Sequence, residues 1–542
     1  MKKERMHSVV TAMLLVLAMA WPATAKMYQV GKDTLHVTGY ISQGAQISAL
    51  GNAKDVHDTA SGLNQAITTG FVELDYQTPS DWRFYGSGKA TVDWAYDLRS
   101  GDDEWLRKEH NLSRENLYLD DEWWQLIPEA HVTWTPGDFL FRFGKQIVSW
   151  GEADFLRVMD SINPVDSRRG FADVEFEETV IPIPMLRGEY WPDIADSGGF
   201  LSELGMQVVL IPNADYIPDL GPDLSNANSG VWSGSVVVPD DMLGAGTPTR
   251  IEINERVKQL EDWSDWEVGV RLQALIGSSV ATLNGFYGRA NSPVSKIDVF
   301  GPSGGIGSKT GSTDSEGNTI LELDLTGFHP RQKFVGATLA TEIPQFSFSA
   351  LGGSTPVIRT EVKYEFDKYF NENFFAPVFQ EPFDGTTLKN DGFIVSDSLE
   401  SMVGVDWKFS GPWWRWLNSS AYLDTSFQFF WNRVMDYPKD IDYVNAGGLD
   451  TVHVVDQLQK DTYLASAYIQ TTYLNAKLVP SFAYLRDFSN QAELMLLGLS
   501  YSPTSRWSYS ASYGYHNGDD LGQSLEVFKN KDYIAFKVRY TF

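Results

Sequence analysis

Gly301-Pro302-Ser303-Gly304-Gly305 fits Gly-x-Ser-x-Gly, the pattern that presents a nucleophilic serine on a strand-to-helix turn. No helical periodicity follows it, and its surroundings read as a glycine-rich loop, so the serine lacks the turn that would expose it. Asp314-Ser315-Glu316-Gly317-Asn318 has the composition of a calcium loop but not its ligand spacing, and reads as a plain turn. The 8 histidines include no His-x-x-x-His or similar metal spacing. Acid runs such as Asp102-Asp103-Glu104 and Asp120-Asp121-Glu122 read as solvated loop charge. The expectation is a protein that is not an enzyme and that has no metal site and no cofactor.

The most specific stretch is Phe141-Arg142-Phe143-Gly144-Lys145-Gln146-Ile147-Val148-Ser149-Trp150-Gly151-Glu152, continuing to Asp160-Ser161-Ile162-Asn163-Pro164-Val165-Asp166. A period of two puts Arg142, Gly144, Gln146, Val148 and Trp150 on one side of a strand. Phe139, Phe141, Phe143 and Ile147 fall on the other, as where a strand has water on one face and lipid on the other. Lys145 breaks the division, because a charge on the lipid side near the midplane costs roughly 2–4 kcal/mol. Either a bulge at Gly144 turns it inward, or it lies near the rim. Glu152 to Ser161 is expected to form a short helical loop. Glu152 and Asp154 suit its first turn, Phe155, Leu156, Val158 and Met159 give it apolar surface, and Asn163-Pro164 ends it. Such apolar surface gains little from facing water, so the loop is expected to fold into a lumen and narrow it. Arg142, Gln146, Trp150, Glu152 and Phe155 are the constriction candidates, with Arg168 and Arg169 at the far end. The alternative is a solvated surface loop capped by ordinary turn residues.

These residues need a wall to hold them, and the rest of the chain supplies one. From Asp532 on, Ile534, Phe536, Val538, Tyr540 and Phe542 alternate with Ala535, Lys537, Arg539 and Thr541. The same rhythm returns in runs near 35–49, 66–78, 81–97, 128–135, 138–149, 183–193, 202–211, 264–276 and 278–289. It continues near 331–343, 345–366, 399–409, 416–431, 462–474, 475–486, 490–502, 504–516 and 530–542. The reading is an all-β transmembrane antiparallel barrel of about 16 strands, with 14 or 18 open, because bacterial single-chain barrels close on even numbers. Short connections at 78–81, 136–138 and 502–505 carry Pro, Gly, Asp and Ser, as tight turns do. Long ones at 98–127, 150–182, 212–263, 290–330, 367–398 and 432–461 belong outside the barrel or folded into it. The lumen-facing positions carry both signs, among them Arg83, Lys89, Asp93, Glu361, Lys363 and Asp406. Mixed signs imply weak ion preference, or charges paired to stiffen the wall.

Lys2, Lys3 and Arg5, the apolar stretch Val9 to Ala20, and Ala23-Thr24-Ala25 form a secretory signal peptide over 1–25. Its apolar part is shorter than the roughly 20 residues of a membrane-spanning helix. The remaining 26–542 reads as one barrel domain without a linker. The chain has 0 Cys, so neither a lipid-bearing cysteine nor a disulfide is available. A mean hydropathy of −0.25 beside 13% aromatic residues excludes a helical membrane protein and suits a barrel, whose two faces average out. The net charge of −28 argues against nucleic acid, which needs basic patches. Divalent cations beside lipopolysaccharide would suit the acidic loops, although plain solvation also accounts for them.

The Arg-x-Gly-Lys-Gln…Trp-Gly-Glu strand end at 142–152, followed by Ile162-Asn163-Pro164, resembles the domain of unknown function 1302 family of Gram-negative outer-membrane proteins. The aromatic end Phe536, Val538, Tyr540, Phe542 is similar to the signal by which such barrels reach their assembly machinery. The resemblance implies localisation in the outer membrane of a Gram-negative bacterium, amid outer-membrane lipid and lipopolysaccharide. It also implies a channel or transport partner for a hydrophobic or amphipathic solute. An inner-membrane RND/MMPL-type transporter and a periplasmic lipoprotein-sorting-like protein would be its partners. A structural or adhesive barrel with a closed lumen is the alternative. Protein purified from outer membranes is expected to begin at Lys26, and an intact mass that includes residues 1–25 would remove the export reading.

Overall fold

The computed structural model describes residues 26–49, 62–101, 123–154, 156–166, 179–193, 201–212, 219, 250–258, 265–297, 311–313, 320–371, 393–410, 422–437, 458–518, 525, 528 and 531–542. Antiparallel strands close into an 18-strand barrel. In order they are β1 Asp33–Ser48, β2 Ile67–Gln77, β3 Trp82–Asp93, β4 Ala130–Trp134, β5 Phe139–Gln146 and β6 Ile183–Tyr190. Then come β7 Leu201–Ile211, β8 Glu267–Ile276, β9 Ser279–Arg289, β10 Arg331–Glu342, β11 Val357–Asn371 and β12 Phe393–Phe409. β13 Leu423–Val434, β14 Asp461–Gln470, β15 Leu478–Asp487, β16 Ala492–Tyr501, β17 Trp507–Asn517 and β18 Tyr533–Thr541 complete the wall. Each run of alternation in the sequence falls on one strand, so the count is the upper value of the expected range. Even β4, with 5 residues, forms ladders on both sides.

Parts of the chain depart from the sequence reading. Arg250–Lys258, Ile320–Phe328 and Val294–Ile297 form a separate three-stranded sheet within stretches expected to be connections. The run expected from 345 begins as a strand only at Val357. Pro344–Phe346 and Ser349–Leu351 are 3-10 turns instead, because Pro344, Gly352 and Gly353 interrupt the extended chain.

Alternation sets the two faces. Phe84, Phe141, Phe143, Val335, Val403, Phe427 and Phe536 are exposed on the outside, where lipid would cover them. Near the short turns, Trp82 stacks on Trp134 at 5.5 Å and Phe139 on Tyr190 at 4.7 Å, which is the place of an interfacial girdle. Lys145 stays out of the lipid at the opposite end of β5, where its Nζ donates to the Ile127 carbonyl at 2.7 Å. Gly144 before it takes φ +127, and a Cβ there would lie 2.3 Å from the Ala130 carbonyl. The ladders on both sides keep their register, so Gly144 provides a local twist and not a bulge.

The barrel closes where β18 pairs with β1, from Tyr40↔Thr541 to Ser48↔Tyr533. Ile534, Phe536 and Val538 face outward as expected, but Phe542 is buried. Phe542 exchanges backbone hydrogen bonds with Gly39, and a Cβ on Gly39 would lie 2.7 Å from its ring. The terminal aromatic therefore covers the seam through a recess that only glycine leaves open. Gly39→Leu should overpack the seam by about 1–3 kcal/mol and lower the heat-modifiable, folded fraction on gels. Phe542→Asp should lower it further, and wild-type folding of both variants would refute this account of the seam.

Candidate functional site

β4, β5 and β6 have 5, 8 and 8 residues, fewer than the roughly 9–11 of a full spanning strand. Over this low wall the chain turns inward after Gln146. The segments 147–154 and 156–166, here together called the strap, then cross the lumen. Its contacts establish the path. Trp150 Nε1 donates to Gln207 Oε1 on β7 at 2.7 Å, and Arg271 on β8 donates to the Ser149 carbonyl at 3.1 Å. On the far side, the inward carboxylate of Glu361 on β11 accepts the backbone N–H groups of Glu152, Ala153 (2.6 Å) and Met159 (3.0 Å). Arg359, two residues away on the same face, pairs with Asp154 at 2.7 Å and also bonds Asp406. Gln428 on β13 accepts the Asp154 N–H at 3.1 Å and donates to its carboxylate at 2.9 Å.

Apolar packing follows the same path. Val148, Trp150, Met159 and Ile162 bury themselves against Met185, Val209, Ile211, Phe286 and Phe334, all inward residues of β6 to β10. Val158 packs with Met402, Phe430 and Leu464 on β12 to β14, flanked by Ala153 and Leu156. Gly269 and Gly336 leave recesses for the Trp150 indole and the Met159 thioether. Burying each such side chain contributes roughly 1.5–3 kcal/mol, about as much as a hydrogen bond to a charged group, so the apolar contacts and the carboxylate bonds together drive the infolding, and the directional polar contacts set its position.

The strap is not the helix expected over 152–161: the described residues there have no helical turn. Its amides bond to Glu361, Gln428 and Asp160 rather than to carbonyls four residues back. Asp160 accepts from Ser149 Oγ at 3.0 Å and from the N–H groups of Trp150 and Gly151, tying the Trp-Gly turn. Asn163 is no helix terminator either. Fully buried, it accepts the Val148 N–H at 2.9 Å and donates to the carbonyls of Gln146 (3.1 Å) and Ile181 (2.9 Å), stapling the departing and returning stems.

The candidates from sequence separate as follows. Gln146 and Trp150 are buried at the root of the strap, and Gln146 donates to the Met185 carbonyl at 3.1 Å. Glu152 lies on the strap, where burial pushes its carboxyl up from the usual range against the pull of Arg271 and Arg359. Arg142 lines the wall on the short-turn side of the strap. It stands in a lateral row Arg83–Thr133–Arg142–Arg187 across β3 to β6. Arg83 pairs with Asp75 at 2.8 Å and Arg187 with Glu189, whereas among the described residues Arg142 bonds only the Thr133 hydroxyl at 2.9 Å. Phe155, Arg168, Arg169, Ser303, the 314–318 stretch, the acid runs at 102–104 and 120–122 and the segment 1–25 lie outside the described residues. Asn163, Asp160, Glu361 and Gln428 carry more of the site than the sequence reading assigned them. The parity of Glu361 and the Asp-Ser-Ile-Asn-Pro motif were their only signals.

A family model described as "Protein of unknown function (DUF1302)" matches residues 7–542. The chain belongs to the DUF1302 family. No curated protein matches it. Among solved structures it is similar to Salmonella typhi OmpF in complex with daunomycin, at 12% identity and a TM-score of 0.38 over 95% of this chain and 100% of that one. It is also similar to Pseudomonas aeruginosa OpdK with vanillate, at 8% identity and 0.42 over 94% and 98%. Escherichia coli Wzi, titled a carbohydrate-binding β-barrel, matches at 8% and 0.40 over 93% and 84%. Likeness this distant carries no argument about function, so for this DUF1302 chain the lumen itself must supply it.

Asn163→Ala should free the strap, since three buried backbone groups lose their partner at a cost on the order of 1–3 kcal/mol. Limited proteolysis should then cut within 147–182 faster while the barrel stays heat-modifiable. Unchanged protection of that segment would show that the staple does not hold it.

Proposed function

We propose that this chain is an outer-membrane channel whose passage the strap narrows. It would move a hydrophobic or amphipathic solute across the Gram-negative outer membrane, together with an inner-membrane RND/MMPL-type transporter and a periplasmic lipoprotein-sorting-like protein. Lipid and lipopolysaccharide would surround the exposed apolar belt, and the barrel assembly machinery would insert it after removal of residues 1–25. One observation carries the reading: a loop anchored to both sides of the lumen by Glu361, Arg359 and two apolar clusters. A wall of this many strands leaves more interior than its own side chains fill, and a strap pinned in that way restricts the passage without being needed to close the barrel. The row containing Arg142, which has no carboxylate partner among the described residues, supports a passage that tolerates negative charge below the strap.

The second reading is a structural barrel with a closed lumen, favoured by the depth of the apolar cluster around Trp150 and Met159. Planar bilayers at fixed salt separate the two. Removing Ala153 to Ser161 should raise single-channel conductance about twofold or more, because the narrowest part of a pore dominates its resistance. Arg142→Glu should shift the preference toward cations. Equal conductance of wild type and both variants, each folded, would place the strap off the passage; no conductance from any of them would favour the closed barrel.

A further inference from the structure

On the long-loop side of the strap the interior opens into a cavity of about 810 Å3. Volumes of roughly 300–1,000 Å3 are those of small-molecule sites. Its floor is the strap, with Arg157 and Ser161, and its walls are the long-loop halves of β10 to β15.

The hydrogen-bonding capacity of this lining is unevenly spent. Every lining carboxylate is already engaged. Glu400 binds Lys363 at 2.6 Å and Lys368, and Glu365 stands 3.7 Å and 3.8 Å from the same two lysines. Asp219 accepts the Val165 N–H at 2.8 Å and the Ser292 hydroxyl at 2.7 Å. Asp487 accepts the N–H groups of Ser489 and Asn490, and Asp160 is occupied by the turn at 149–151.

The donors are not spent in the same way. Arg157 makes one hydrogen bond, to the Asn163 carbonyl at 2.6 Å, and no carboxylate pairs with it among the described residues. Asp160 and Asp219 act on it only through space. The buried Nη1 of Arg331 and the hydroxyls of Ser161 and Ser398 also have no partner among the described residues, against one buried group in the lining that can only accept, Gln332 Oε1. Buried donors without acceptors are destabilising, and the group that satisfies several at once is a carboxylate, with two oxygens and about four lone pairs. Tyr369, Phe370, Val434 and Leu464 give the same cavity an apolar side.

We infer that this cavity is a binding site for an amphipathic carboxylate, its anionic end held by Arg157 and its apolar body against Tyr369, Phe370 and Leu464. The inference rests on the channel reading and deepens it, since it gives the solute an anionic head and a place to dwell beside the strap.

Isothermal titration of the folded barrel in detergent tests it, with phenylbutyrate, phenylbutylamine and phenylbutanol as probes. Phenylbutyrate should bind saturably, and the amine and the alcohol about tenfold more weakly or worse, as when a charge-assisted contact is lost. Arg157→Gln should weaken phenylbutyrate by about tenfold while Arg157→Lys retains part of the affinity. Ser398→Trp fills the cavity from β12 and should abolish binding in a barrel that remains heat-modifiable. Equal binding of the three probes, no binding to wild type, or wild-type affinity in both Arg157→Gln and Ser398→Trp would overturn the inference. Salt current through bilayers is read separately. Binding without current would leave the site standing and remove the channel, and current without binding would do the reverse.

Discussion

In hydrocarbon every backbone N–H and C=O must find a partner within the protein, and only a sheet closed on itself satisfies that with strands. The contact that completes closure is the β1–β18 ladder, sealed by Phe542 over Gly39. The rest of the molecule follows from it. Closure imposes alternation on every strand, alternation separates an apolar outside from a polar inside, and eighteen strands make that inside too wide to be filled by its own side chains.

A polar interior full of charge would be costly if the charges stood alone. Here most are settled in pairs across neighbouring strands: Arg83 with Asp75, Arg289 and Arg331 with Asp265, Lys363 with Glu400, Arg359 with Asp406. Mixed sign in the lumen is therefore chiefly wall stiffening, one of the two meanings its pattern allowed. Against that paired background the exceptions stand out. Arg142 below the strap and Arg157 on it are among the cations with no carboxylate partner among the described residues, and they are the residues on which the proposed ion preference and solute binding would turn.

The strap also shows why an amphipathic pattern failed to become a helix. Helices bury one stripe against one surface, whereas Trp150, Met159 and Ile162 are claimed by β6 to β10 and Val158 by β12 to β14. Serving two walls requires an extended, irregular path, and such a path leaves backbone amides without partners. Glu361, Gln428, Asp160 and Asn163 supply those partners, so the irregular backbone persists where water is largely excluded.

The sequence by itself determined the barrel. Period-two alternation is local, and each run from Asp33 to Phe542 announces its own faces, which is why the eighteen wall strands were legible and only their total was left within a range. The parity of Arg142, Gln146 and Trp150 and the apolar residues Phe155, Leu156, Val158 and Met159 likewise indicated an inward loop. What only the tertiary structure decided is which wall each strap residue meets. Glu361 lies about two hundred positions from the amides it holds, as at Ala153, and no local pattern encodes a partner at that distance. The same holds for Asn163, which reads as a helix stop in sequence and becomes a staple because closure brings Gln146 and Ile181 to either side of it. It holds too for Phe542, which alternation assigns to lipid and which the recess at Gly39 draws into the seam.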